Sequence, residues 1–359
     1  MIKEGLVLNI YKQALNDILS EKAGLSGNPY YTVRDFSAIY NISTVTANKA
    51  INMLKKNYFI RALAKTNYIS YTKFVSGTQL HAKYSSSKLI GLHLNYIENT
   101  FFSKLARKLE DYASSIGYKL LICLSNRSIE KELEIMNRFF DLGVKGVINF
   151  PNESVNLVNF YQNYPLPLVF IANTVKGVNT SSAVVDNKTA SHMVGQHLVD
   201  KGYKSFCYIL PNHVDKHNNI RLVGYREILL QNNFCLQDSD ILSVPNIYEL
   251  KRILLPYIKM VNLPLGIYCH HDLLGIEAIR VCSILGFDIP NQIGIVGFDN
   301  LPEATHIAPP LTTVDYNMNS IIKETFNLLQ KEVNMLSTSH KPTYIQPILL
   351  VRSSSSRNP

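Results

Sequence analysis

Lys88-Leu89-Ile90-Gly91-Leu92-His93-Leu94 marks the point at which the chain changes rhythm. From here on, short apolar runs alternate with stretches of helical spacing. The runs are Leu89–Leu94, Lys119–Leu124, Gly146–Phe150, Leu166–Ile171, Ala183–Val185, Ser205–Leu210, Leu265–Cys269 and Ile293–Val296. Alternation of this kind predicts parallel strands joined by crossover helices, hence an α/β body over residues 88–352. About 260 residues exceed one ordinary core, so two lobes are expected, each with its own parallel sheet and a cleft between them. Ligands of open α/β sheets bind outside the carboxyl ends of the strands, and that is where site residues are sought.

Upstream of Lys88 the periods differ. Residues Leu6 to Lys22 place Leu8, Tyr11, Leu15, Ile18 and Leu19 at amphipathic-helix spacing. Gly24, Gly27, Asn28 and Pro29 break it. Thr32 is suited to cap a short helix through Ile39, with Asp35 three residues on as the first-turn acid. Asn41-Ile42-Ser43 turns the chain into a second helix expected to bury Val45, Ala50, Ile51 and Leu54. Phe59-Ile60-Arg61 and Asn67-Tyr68-Ile69-Ser70 read as two short strands. Helix, short helix, turn, helix and ribbon is the order of a winged helix-turn-helix, whose second turn-helix can enter the DNA major groove. The head is expected over residues 1–71. Residues 72–87, which end in Ser85-Ser86-Ser87, read as a linker.

Charge is distributed to match. The chain of 359 residues carries a net +9. Residues 1–83 hold nine lysines and two arginines against Glu4, Asp17, Glu21 and Asp35, which leaves only +2 for the rest. No carboxylate occurs between Asp35 and Glu98, an interval that contains Lys49, Lys55, Lys56, Arg61, Lys65, Lys73, Lys83 and Lys88. A basic, acid-free segment that can fold suits a polyanion, because each cation displaces counterions from phosphate. With 46% hydrophobic and 18% charged residues the chain can bury a full core, which excludes a disordered or fibrous protein. No run approaches the about 20 apolar residues of a membrane span, and no secretory leader is read at Met1-Ile2-Lys3-Glu4-Gly5, so a cytoplasmic protein without a membrane partner is expected. Cys123, Cys207, Cys235, Cys269 and Cys282 show no pairing pattern and read as reduced thiols, with neither a disulfide framework nor a zinc site.

Enzyme signatures are missing. There is no GxxxxGK[ST], HExxH, GxSxG or GxGxxG, so no cofactor and no catalytic residue is expected. His270-His271-Asp272 is the nearest thing to a metal cluster, but Asp272 stands where it would cap the helix Leu273–Leu285 and His271 where it would touch a ligand. Other polar residues close strands or open helices: Asn149, Asn173, Asp299 and Arg221. Asp accepts from paired hydroxyls, Arg and Asn fork across vicinal pairs, and an aromatic face covers the C–H side of a sugar ring. Phe101 and Phe102, after the first strand of the body, fit either core or such a platform.

Two family resemblances follow from these stretches. Tyr31-Thr32-Val33-Arg34-Asp35-Phe36 and Ile42-Ser43-Thr44-Val45-Thr46-Ala47-Asn48-Lys49-Ala50-Ile51 resemble the winged helix of the gluconate-repressor (GntR) family. The resemblance places Arg34, Thr44, Thr46 and Asn48 on DNA-contacting positions, with Thr32, Lys49, Lys65 and Asn67 beside them. Thr44 and Asn48 replace two arginines usual in that family. Asn67 replaces the glycine of the wing, and asparagine can still take a left-handed turn.

The body resembles the effector domain of the lactose-repressor (LacI) family, itself similar to periplasmic sugar-binding proteins. The cues are Ile90-Gly91, Asn99-Thr100-Phe101-Phe102, Gly143-Val144-Lys145-Gly146-Val147-Ile148, Val185-Asp186-Asn187, Arg221-Leu222-Val223-Gly224-Tyr225, Ile295-Val296-Gly297-Phe298-Asp299-Asn300, Pro309-Pro310-Leu311-Thr312-Thr313 and Leu350-Val351-Arg352. The resemblance places Phe102, Asn149, Arg221, His271 and Asp299 on effector-binding positions. Ala172-Asn173 stands where that family often has Asp. A gluconate-repressor head on a lactose-repressor body resembles the arabinose repressors. It implies a homodimeric transcription repressor with operator DNA and a small sugar as partners. The alternatives are a purine or other metabolite as effector, and a sugar-metabolising enzyme with a basic extension.

Overall fold

The computed structural model describes residues 2–19, 22–24, 28–56, 60–63, 66–69, 87–152, 157–216, 219–334 and 340–358. The chain divides into two units. The first holds Met1–Ile97, Ala106–Ser182 and Thr325–Pro342; the second holds Glu98–Leu105, Ala183–Glu324 and Thr343–Pro359.

The head opens the first unit with α1 (Ile2–Leu19), β1 (Pro29–Tyr30), α2 (Val33–Ile39), α3 (Thr44–Lys56), β2 (Ile60–Leu63) and β3 (Thr66–Ile69). The stripe that α1 buries includes Ile10, Ala14 and Ile18, one residue per turn. These pack with Phe36, Ala47, Ala50, Ile51, Leu54 and Ile60 into one small core. Thr32 caps α2: its hydroxyl accepts from Asp35 N–H at 3.2 Å, and Asp35 Oδ2 accepts from Thr32 N–H at 3.3 Å, a reciprocal capping box. Asn41 takes φ 50° between the helices, a conformation its short amide tolerates.

The structure adds to or corrects the sequence reading at four points here. Val45 is 66% exposed, and Ala47 is buried in its place. Pro29 does more than break the first helix, because Pro29–Tyr30 adds an edge strand beside β3, where a missing N–H costs nothing. Asn67 lies within β3, opposite Tyr30 and Ala62, and takes no left-handed turn. Lys22 lies beyond the end of α1. Lys65 and the linker up to residue 86 lie outside the described residues.

The rest of the first unit contains β4 (Leu89–Leu94), α4 (Thr100–Ser115, whose first turns belong to the second unit), β5 (Lys119–Leu124), α5 (Ile129–Asp141), β6 (Val147–Asn149), α6 (Val158–Gln162) and β7 (Leu168–Ile171). Strand order β5-β4-β6-β7 is parallel throughout. Gly91 lets Phe139 close on the sheet, since a Cβ there would lie 2.7 Å from its ring.

The second unit runs through β8 (Ser182–Val185), α7 (Asn187–Asp200), β9 (Ser205–Pro211), α8 (Ile220–Gln231), β10 (Ile241–Val244), α9 (Leu250–Ile258), β11 (Leu265–Cys269), α10 (Asp272–Ile284), β12 (Ile293–Phe298), β13 (Thr312–Asp315), α11 (Met318–Val333), β14 (Pro342–Ile345) and β15 (Ile348–Leu350). Its sheet has the order β10-β9-β11-β12-β13-β15, parallel except for β15. Strands β9, β11 and β12 are buried almost throughout, as apolar runs covered on both faces should be. The order reverses between β9 and β11, and such a switch point opens a crevice at the strands' carboxyl ends.

Candidate effector site and nucleic-acid face

Three helix starts converge at that switch point. Asp186 caps α7, accepting from Thr189 N–H at 2.9 Å, and thereby sets Asn187 at its first position. Asn219 caps α8, accepting from Leu222 N–H at 3.1 Å, and places Arg221 one residue inside. His271 caps α10 through Nδ1, which accepts from Leu274 N–H at 3.3 Å. Asp272, expected to be that cap, is instead the first helical residue and is fully buried. Its carboxylate accepts from Thr313 Oγ1 at 2.5 Å and from Leu301 N–H at 2.8 Å.

Arg221 organises the site. Its guanidinium stacks over Phe298 at 3.5 Å from the ring centroid. Nε donates to Asn187 Oδ1 at 2.7 Å, Nη1 to the His270 carbonyl at 2.6 Å and Nη2 to Tyr316 Oη at 2.6 Å. The Tyr316 ring continues to Phe101 at 4.8 Å and to Phe298 at 5.0 Å, and Phe101 meets Phe102 edge-on at 5.2 Å. Of the residues predicted from sequence, Phe101, Phe102, Arg221, His271 and Asp299 thus belong to one unit. Asn187, His270, Phe298 and Tyr316 were missed as site residues. Only the position of Asn187, directly after a cap that follows a strand, could have found one of them.

Electrostatics follow burial. Desolvation works against the Arg221 charge, but Tyr316, Tyr268, Asp299 and Tyr208 around it hold its pKa above the ordinary arginine value. Burial, aided by Arg221, pushes His270 well below the usual histidine range and His271 down to about 4, so both rings are neutral at neutral pH. Burial lifts Asp299 well above the carboxylate range, with Arg221 opposing and Asp272 adding. Asp299 and Asn300 both sit at positive φ, 115° and 49°. Their loop is pinned by Asp299 N–H to Val314 O (2.9 Å), Asn300 Nδ2 to Asp315 Oδ2 (2.6 Å) and Arg352 Nη2 to Asn300 Oδ1 (2.8 Å). Neutral imidazoles, a forked cation and a carboxyl group beside aromatic faces can exchange hydrogen bonds with a polyhydroxylated ring.

The other two predicted effector residues lie in the first unit. Asn149 closes β6 fully buried, its Oδ1 2.5 Å from His93 Nδ1 and its Nδ2 donating to Tyr161 Oη at 2.9 Å. The buried Glu132 joins the same network through Tyr161 and Asn152. Asn173 is half-buried, and its side chain accepts from Thr174 N–H at 2.9 Å.

In the head, Arg34, Thr44, Asn48 and Lys49 are exposed, Asn67 is half-exposed, and the Thr32 side chain is committed to its cap. Thr46 is half-buried and shares a 2.9 Å hydrogen bond with Ser43, whose Oγ also accepts the Thr46 N–H at 3.2 Å and so caps α3, a role the sequence reading did not assign. Among the described residues no cluster of His, Cys, Asp and Glu has metal-binding geometry, and no helix is long and apolar enough to cross a membrane.

Two parallel sheets in one body, one of them with a polar cluster at its switch point, define the periplasmic-binding-protein-like class, and residues 196–355 match the periplasmic binding protein-like domain. The body has the fold of LacI-type transcription regulators. The chain is 22% identical over 337 residues to the HTH-type transcriptional repressor PurR of Histophilus somni, covering 90% of this chain and 98% of that protein. It is 26% identical to the ribose operon repressor of Halalkalibacterium halodurans, with 84% and 90% covered. The solved complex of the transcriptional regulator CelR with cellobiose superposes with a TM-score of 0.67 at 18% identity, spanning 90% of this chain and all of that one.

Proposed function

We propose that this protein is a ligand-responsive transcription repressor, with a DNA-binding head over residues 1–71, a linker over 72–87 and an effector-binding body over 88–352. The observation that carries the reading is the Arg221 cluster: a guanidinium laid on Phe298 and fixed by Asn187 and Tyr316, at the carboxyl ends of a parallel sheet, in a chain that also holds a basic head free of acids after Asp35. The effector is a monosaccharide or other small sugar derivative, held by Arg221, Asp299, His271 and the Phe101–Phe102 pair of the second unit. That the relatives include a ribose operon repressor and a regulator solved with cellobiose supports this class. A purine or other metabolite is the second reading, favoured by the likeness to the repressor PurR.

The head is of the gluconate-repressor kind: its strand pair β2–β3 forms the wing and α3 the recognition helix. Two heads, joined through a homodimer of bodies, bind a pseudo-palindromic operator, and effector binding releases it. The experiment is a thermal-shift screen of the full chain against monosaccharides, disaccharides and nucleobases, followed by fluorescence anisotropy on DNA from upstream of its own coding region. A stabilising sugar that also lowers DNA affinity supports the reading. Turnover of a bound sugar, or DNA affinity indifferent to salt, overturns it.

A further inference from the structure

The outward face of α3 is unusual in what it presents. Ala47, Ala50, Ile51 and Leu54 are buried along one side. Opposite them, Val45 and Asn52 point directly away from that stripe, with Asn48 on one flank and Lys49 on the other, and all four are exposed. The helix carries no arginine and no carboxylate. A valine left 66% exposed in the middle of a polar, basic face has no packing role within the head. Its branched methyls are suited to an apolar contact, and in the major groove the one apolar feature is the 5-methyl group of thymine. Asparagine has the fork of donor and acceptor that matches adenine N6 and N7, whereas guanine is read by arginine or lysine donors at O6 and N7.

Resting on the reading that this head binds duplex DNA, we infer that α3 reads A·T base pairs: Val45 against a thymine methyl and Asn48 and Asn52 against adenine edges, with Lys49 on the phosphate backbone. The occupant is duplex DNA because the face is basic and free of acids, a charge complement to phosphate. Thr44, exposed at the start of α3, adds a hydroxyl and a methyl of its own and brings no preference for G·C.

The test is selection of duplexes from a pool with a randomised core by the full chain at about 100 mM salt. The selected half-site should hold consecutive A·T pairs at its centre. In a duplex of that sequence, exchanging one central thymidine for deoxyuridine removes only the methyl group and should weaken the parent protein about fourfold. The same exchange should leave Val45→Ala unaffected. Asn48→Ala or Asn52→Ala should lose about five- to hundredfold on the selected site and discriminate less against G·C at one position. Lys49→Ala should weaken every duplex alike. All four substitutions are on the surface, and thermal melts of the variants check that the head is intact. A G·C-centred half-site, with affinity lost on 7-deazaguanine and indifferent to deoxyuridine, overturns this inference while leaving DNA binding in place. Failure to enrich any duplex overturns both.

Discussion

Asp272→Asn replaces a fully buried carboxyl group by its neutral isostere. In the parent, burial pushes the Asp272 carboxyl from its ordinary 3.8 up to about 7, although Thr313, the Leu301 N–H and Arg352 all favour the charged form. The folded protein therefore holds this proton more tightly than the unfolded chain does between about pH 4 and pH 7. Stability is greatest while the acid is protonated and falls as pH rises through that window. The gap sets a ceiling of ~4 kcal/mol, of which ~2 kcal/mol is lost between about pH 5.5 and about pH 8. Asparagine keeps the geometry: its oxygen can accept from Leu301 N–H while its amide donates to Thr313 Oγ1. The variant should then lose ~2 kcal/mol less than the parent between the two pH values. The assay is urea denaturation of both proteins at each pH. Facing groups titrate too. Asp299 adds to the same slope, and His270 and His271, held neutral by burial, oppose it on the acid side. Parent and variant share the histidine contributions, so the difference between their slopes reports Asp272 together with the part of Asp299's shift that Asp272 causes. Parallel stability curves would refute the claim that this carboxyl group is buried against its charge.

Thr32→Ala removes the capping box of α2 and should destabilise the head by about 1 kcal/mol, read as a lower melting temperature of the full chain's least stable transition. Gly224→Ala would put a Cβ 2.8 Å from the Lys188 carbonyl oxygen; prising α7 from α8 should cost ~1–3 kcal/mol in thermal unfolding, and an unchanged melting temperature would show that the two helices can separate freely. Arg221→Lys gives one ammonium the work of a three-way fork and leaves two of Asn187, the His270 carbonyl and Tyr316 unpaired; calorimetry on the sugar found by screening should show at least a tenfold weaker affinity, the fold being intact by circular dichroism.

Residues were legible where burial on both faces made the sequence uniform. Leu265–Cys269 was read to the residue as β11, since five consecutive buried positions leave no polar interruption. Strands β10 and β13 escaped for the opposite reason. Ser243 interrupts one, and Thr312-Thr313 open the other although both are fully buried. Their hydroxyls are satisfied by groups distant in sequence: Thr312 by Arg352 and Ser355, Thr313 by Asp272. No local period can show that. Periodicity likewise counted Val45 as core because it is apolar, whereas Ala47 fills the inward position. Arg221 could be picked out as a helix-start cation after a strand. Tyr316, which fixes it, lies 95 residues later in an unremarkable Asp-Tyr-Asn. Nothing local in the sequence marks Glu132, which is buried and partnered by Tyr161 and Asn152.

The Asp299–Asn300 loop shows why the body needs these remote partners. Asn300 at φ 49° is tolerated as Asn41 is, but Asp299 at φ 115° lies outside the left-handed helical region, a strain of roughly 1–3 kcal/mol that persists only where the surroundings over-determine it. Here the surroundings come from three places: Thr313, Val314 and Asp315 of β13, Asp272 at the start of α10, and Arg352 beyond β15. Arg352 is itself fixed, since Nη1 donates to the Leu311 carbonyl at 2.7 Å while the next turn buries Ser354 and Ser355 against Ile295 and Thr312. A carboxyl group held this way has little freedom left to lose when a hydroxyl reaches it, which is how preorganisation raises affinity without adding contacts. On the proposed reading of Asp299 as an effector contact, the terminal segment from Leu350 to Ser355 would contribute to binding energetically. It touches the strained loop, and the loop carries Asp299.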